Sequence, residues 1–102
     1  METLIANRPV ELNEQGYLKN MDQWDKEIAR EIATEEGIDL KDRHFEILGY
    51  LRTEQEKGTA LSIRRVGKSG VVDIKEFYQL FPNGPLKKAS RIAGIPKPAS
   101  CI

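Results

Sequence analysis

Residues 80–102, LFPNGPLKKASRIAGIPKPASCI, decide how this chain is read. PNGP at 82–85 stops whatever precedes it. A proline suits the first turn of a helix, where its missing N–H costs nothing, so Pro85 opens a helix over 85–93. Leu86, Ala89 and Ile92 fall on its packed side, and Gly94 ends it. In the remainder, IPKPASCI, Pro96 and Pro98 favour extended backbone, and the segment has too little apolar side chain for firm burial. The expected organisation is a single domain over 1–94 and a flexible arm over 95–102 that bears Cys101.

Cys101 is the only cysteine and His44 the only histidine. One thiol forms no internal disulfide, which excludes a disulfide-stapled fold. The same scarcity of ligands leaves no structural zinc site and no resident cofactor to expect. Cys101 has two readings. It is an incidental thiol near a frayed end, or it is a thiolate that the arm carries into a partner's active site. Sulfur transfer requires the second arrangement, because a persulfide passes only between thiols that meet. Lys87, Lys88, Arg91 and Lys97 are the nearest bases. They favour the thiolate or dock the arm on an acidic partner, although each one alone also reads as solvated surface.

Upstream, the pattern is mostly helical. Residues 8–19 suggest a short hairpin turning at 13–16. Asn20 or Asp22 caps a helix over 22–35, with Trp24, Ile28 and Ile32 on one face. Asp39 or Leu40 opens a second helix reaching about residue 57. Thr59 caps a third over 60–66. Asp73 caps a fourth over 73–80, with Ile74, Phe77 and Leu80 inward. The fold class is thus a small helical bundle with a helix-turn-helix-like portion, a short N-terminal β-hairpin and a C-terminal arm. His44 reads as a packed helix histidine or as a proton exchanger beside a docked Cys101. Arg64 is a candidate to bind the Ile102 carboxylate and park the arm.

Charge separates along the chain. Residues 1–60 hold 14 acids and 8 bases, and residues 61–102 hold 2 acids and 8 bases. The basic half suits an acidic protein surface better than a nucleic acid, since residues 73–80 place one lysine among acids and aromatics. No apolar run has the length of a membrane helix and no signal peptide is visible, which points to a cytoplasmic protein without membrane contact. KSG at 68–70 lacks the glycine-rich lead-in of a phosphate loop.

The 80–102 stretch closely resembles the C-terminal signature of the DsrC/TusE family of sulfur-relay proteins, LFPxGPxxxAxKIAGxPKPxxC plus one residue. GYLKNMDQWDKEIAREIATEEGIDL resembles the family's GYL…W…A…EGI stretch, and RHFEILGYLR its HWxxxxFLR motif. The resemblance implies that Cys101 is the reactive arm cysteine and that Arg64 lies near the cleft receiving the arm. It implies that His44 opens the second helix motif; Lys97 and Arg91 are candidate supporting residues by their position near Cys101. It further implies a persulfide carrier of sulfurtransferase type rather than a stand-alone enzyme. Its expected partners are an upstream persulfide donor protein and a downstream acceptor such as a tRNA 2-thiouridylase.

Two departures bear on partner choice. Members that act with dissimilatory sulfite reductase carry a second cysteine eleven residues before the terminal one, and Ser90 stands there. A serine cannot enter their disulfide or trisulfide chemistry, so the chain resembles the one-cysteine, TusE-like branch. Leu61 stands where the family usually has proline. A sulfite-reductase-associated protein is the alternative function. A nucleic-acid-binding regulator is a third, with no specific DNA binding expected.

Overall fold

Caps and glycine stops set the order of elements. The computed structural model describes residues 2–98. Strands β1 (Glu2–Ile5) and β2 (Arg8–Glu11) come first, then a 3-10 turn at Met21–Gln23. Helices α1 (Lys26–Glu35), α2 (Asp42–Glu56), α3 (Ile63–Lys68), α4 (Ile74–Leu80) and α5 (Pro85–Ile92) follow. This is the expected mostly helical fold, with α3 and α4 packed together as the helix-turn-helix-like portion.

The hairpin lies earlier than expected. β1 and β2 pair antiparallel from Glu2↔Glu11 to Ile5↔Arg8. Their two-residue turn is Ala6-Asn7, with φ of 54° and 63°. Both residues are left-handed, as the twist of a tight hairpin demands, but neither is the glycine by which such a turn is usually recognised. The anticipated turn at 13–16 does form. Asn13 Oδ1 accepts from the Gln15 and Tyr17 backbone N–H groups, but only a Leu12↔Leu18 bridge closes it.

Helix starts moved wherever two capping residues competed. Asn20 caps the 3-10 turn through the Asp22 N–H, and Asp25 caps α1 through Ile28 N–H at 3.0 Å. Ser62, not Thr59, caps α3 by accepting from Arg65 N–H at 3.0 Å. Lys41, rather than Asp39 or Leu40, precedes α2. Asp73 caps α4 as expected. Helices α1, α2 and α5 end in the same way. The N–H three residues past the helix end returns to a carbonyl five back, in Ile38→Ala33, Thr59→Glu54 and Ile95→Ser90.

α5 packs against α1, α2 and α4 and is the centre of the core. Ile28, Ile32, Leu48, Leu51, Phe77, Phe81, Leu86 and Ile92 are all fully buried. Leu61 is buried as well. Two expectations fail. Ile74 does not face inward but is 43% exposed. Ile95 does not open a free arm: it is fully buried, and as the residue after the glycine stop it folds back onto the helix end.

β2 is tied to the start of α1 by an ion pair between Arg8 and Asp25. The Arg8 hydrogen bond, then the Ile28 N–H, hold the Asp25 carboxyl down at about 2. A depressed carboxyl adds stability that is complete above its unfolded value of roughly 4 and is lost as pH falls towards the folded value. Urea midpoints of the wild type are therefore expected to fall between about pH 4 and pH 2. An Asp25→Asn variant should show a shallower slope in that window, and equal slopes would refute the assignment.

Candidate functional site

The C-terminal end of α5 leaves carbonyls that the helix cannot satisfy, and this chain satisfies them with side chains from two other elements. Trp24 donates its indole N–H to Ile92 O at 2.7 Å. Arg52, on α2, donates from Nη1 to Ala93 O at 2.8 Å and from Nη2 to Met21 O at 2.9 Å. The Arg52 guanidinium also lies over the Trp24 ring, 4.3 Å from its centroid. Burial pulls the Arg52 pKa down, opposed by the charges of Glu56 and Asp22.

Gly94 completes the platform. Its φ is +70°, and an added Cβ would sit 2.5 Å from Trp24 Cδ1 and 2.9 Å from Leu18 Cδ1. Gly94, expected to end the helix, is thus also a packing contact. Ile95 is anchored beyond it, and Pro96 and Lys97 are exposed. The chain leaves for Cys101 from a point fixed by Trp24, Arg52 and Ile95. Cys101, Ile102 and the proposed parking of the arm on Arg64 lie outside the described residues.

The other expected site residues do not converge. His44 is buried on α2. Its Nδ1 accepts from the Lys41 backbone N–H at 3.0 Å, and its Nε2 lies 3.0 Å from Leu80 O. This assigns the neutral tautomer with the proton on Nε2, donating to Leu80. The ring also meets Phe81 edge-on, at 5.2 Å between centroids. Nδ1 closes the start of α2 and Nε2 joins α2 to the end of α4, so both nitrogens are engaged. Arg91 is likewise engaged. Its guanidinium donates to Gly16 O at 3.2 Å, Glu36 at 3.3 Å and Glu35 at 3.1 Å, tying α5 to α1 and to the 13–16 turn. Arg64 is exposed on α3, beside a shallow depression it shares with Tyr50 and Arg65. Lys97 is exposed just past the platform.

Ser90 is fully buried on α5, and its hydroxyl has no hydrogen-bond partner among the described residues. Sequence reasoning placed Trp24 on a packed helix face and gave Arg52 no role. Both lie in the stretches that carried the family resemblance, but their pairing spans 68 and 41 residues to the α5 carbonyls, and no periodicity reveals it. Among the described residues no group of three or more His, Cys, Asp or Glu side chains is placed to hold a metal ion. No described helix is long and apolar enough to cross a membrane.

A small helical bundle whose last helix is clamped at its C-terminal end is an architecture that other proteins share. The comparisons specify which. A family model for DsrC like protein matches residues 4–102. The sulfurtransferase TusE of Yersinia pseudotuberculosis is 39% identical over 106 residues, covering 96% of this chain and 98% of that protein. DsrC of Allochromatium vinosum superposes with a TM-score of 0.82 at 31% identity over the whole of both chains. The oxidised gamma-subunit of dissimilatory sulfite reductase from Archaeoglobus fulgidus gives 0.81 at 33%, again over both whole chains. The chain belongs to the DsrC/TusE family.

Proposed function

We propose that this chain is a persulfide sulfur carrier of the TusE type, with Cys101 as its reacting group. The Cys101 thiolate attacks the outer sulfur of a donor protein's persulfide. The donor's S–S bond breaks, the donor leaves as a thiolate, and Cys101 holds the sulfane sulfur as a persulfide. The reverse chemistry passes that sulfur to an acceptor thiol, for which a tRNA 2-thiouridylase is the leading choice. No oxidant or reductant is consumed at either step. The setting is the cytoplasm, and the chain acts as a carrier between partner proteins rather than as a stand-alone enzyme.

The observation that carries this reading is the family match over residues 4–102, which takes in the only thiol of the chain. The platform at Trp24, Arg52 and Gly94 supports it, since a fixed departure point limits the volume the thiol must search. Ser90 favours the TusE type over a sulfite-reductase-associated role, because a buried hydroxyl replaces the second thiol on which the resemblance makes that role depend.

Incubation with a persulfidated donor, followed by intact mass measurement, is expected to add the mass of one sulfur atom to the wild type and none to Cys101→Ser. Equal uptake by the variant would overturn the proposal.

A further inference from the structure

The two acids of the basic half are both spent within the fold. Asp73 caps α4, and Glu76 is held bidentately by Arg43 of α2 at 2.8 and 2.9 Å. Arg91 is taken by Glu35 and Glu36. No hydrogen bond or ion pair holds the side chain of Arg64, Arg65, Lys68 or Lys75 among the described residues, and all four are exposed on α3 and α4. Arg64, Arg65 and Lys68 share a depression of about 390 Å³ with Tyr50, Ser62 and Ser69.

Beside this ridge lies the largest exposed apolar surface of the helices. Ile74 and Tyr78, one turn apart on α4, are 43% and 47% exposed. Ile74 lies directly over Gly67, where an added Cβ would meet its Cγ1 at 2.3 Å. Gly67 stands on α3 between Arg64 and Lys68, so Ile74 packs against the helix that carries the cations. A cluster of like charges left without partners opposes folding, and an apposed surface of opposite charge relieves it.

We propose that the α3–α4 face is a docking surface for an acidic protein segment that carries aliphatic or aromatic anchors. The anchors would cover Ile74 and Tyr78 while carboxylates meet Arg64, Arg65 and Lys68. Aromatic residues with neighbouring arginines are the composition that dominates binding energy at protein interfaces. A nucleic acid fits less well. Outward residues of α4 are Ile74, Tyr78 and Gln79, with Lys75 as its only base, and duplex binding draws on many phosphate contacts.

The test is an NMR titration of the full chain with an acetylated peptide alternating glutamate with leucine and phenylalanine, run beside a duplex RNA of similar length. Saturable shifts confined to α3, α4 and Tyr50 are expected with the peptide. Affinity should weaken severalfold between about 50 and 300 mM salt. It should fall roughly tenfold in Arg65→Glu/Lys68→Glu and severalfold in Ile74→Ser. Arg65→Gln/Lys68→Gln serves as a milder pair should charge reversal disturb the fold. Scattered or absent peptide shifts, or loss-free binding in the variants, would overturn the proposal. Tighter RNA binding at the same residues would overturn it equally and give the face to nucleic acid.

Discussion

Gly94→Ala is expected to lower the unfolding free energy by about 2–4 kcal/mol, and the melting temperature by roughly 10–25 °C. Two costs add. A side chain at φ +70° pays left-handed strain, and a Cβ at 2.5 Å from Trp24 Cδ1 and 2.8 Å from Cγ forces the indole to move. The indole is not free to do so, because its N–H is bonded to Ile92 O and Arg52 covers its face. Gly37→Ala separates the two costs. Gly37 has a similar φ of +74°, but a Cβ there meets nothing within 4 Å, so only the strain of about 1 kcal/mol is expected. Thermal melts of both variants check this. Equal losses would show that Gly94 is needed only for its backbone and that the Trp24 contact carries no weight.

Loss of Arg52 should come close in size. Arg52→Ala is expected to cost about 3 kcal/mol in urea unfolding, from two charged donors withdrawn from backbone carbonyls and a cation lifted from an aromatic face. Ala93 O would be left at a buried helix end. Trp24 is the only tryptophan, so its fluorescence reports on the clamp directly. Emission should shift to longer wavelength in the folded variant. Arg52→Lys keeps a charge near the ring but has a single nitrogen to serve two carbonyls, and less than half the loss should be recovered. A cost under about 1 kcal/mol for Arg52→Ala would mean that water replaces the guanidinium, and that the departure point of the C-terminal segment is not held as described.

In both experiments a second readout bears on function. If the clamp positions the chain leading to Cys101, the variants that stay folded should transfer sulfur more slowly to a protein acceptor. Their reaction with a small alkylating reagent should change much less. A drop shared by both reactions would point to the thiol itself rather than to its delivery.

Helix-forming signals confined to a few neighbouring residues were legible in the sequence. Asp73 capping α4, Pro85 opening α5 and the glycine stop at 94 each depend on backbone geometry within one turn. The family resemblance was legible for the same reason, being carried by contiguous motifs around Trp24, Arg52 and residues 80–102. Signals with local rivals were misplaced by a few residues. Thr59 and Ser62 are equally good caps in isolation, and the burial of Leu61 and Ile63 on either side of Ser62 selects between them. The Ala6-Asn7 turn carries no glycine, and Ala6 gives no local signal of its positive φ.

What the sequence determined by itself was therefore the set of helices, the lone thiol on a proline-rich segment, and the uneven charge. The tertiary structure alone decided which polar groups remain available. The roles open to His44 and Arg91 were closed by distant partners: Leu80, 36 residues away, takes His44 Nε2, and Glu35, 56 residues away, takes Arg91. Trp24 read as a packed helix residue and Arg52 carried no assigned role, and distant carbonyls join them into a clamp for the same reason. Ile95 looked like the start of an arm until α5 was packed beneath it. Hydrogen bonds and ion pairs are short-range in space but unrestricted in sequence separation, so partner assignment follows only from the packed bundle.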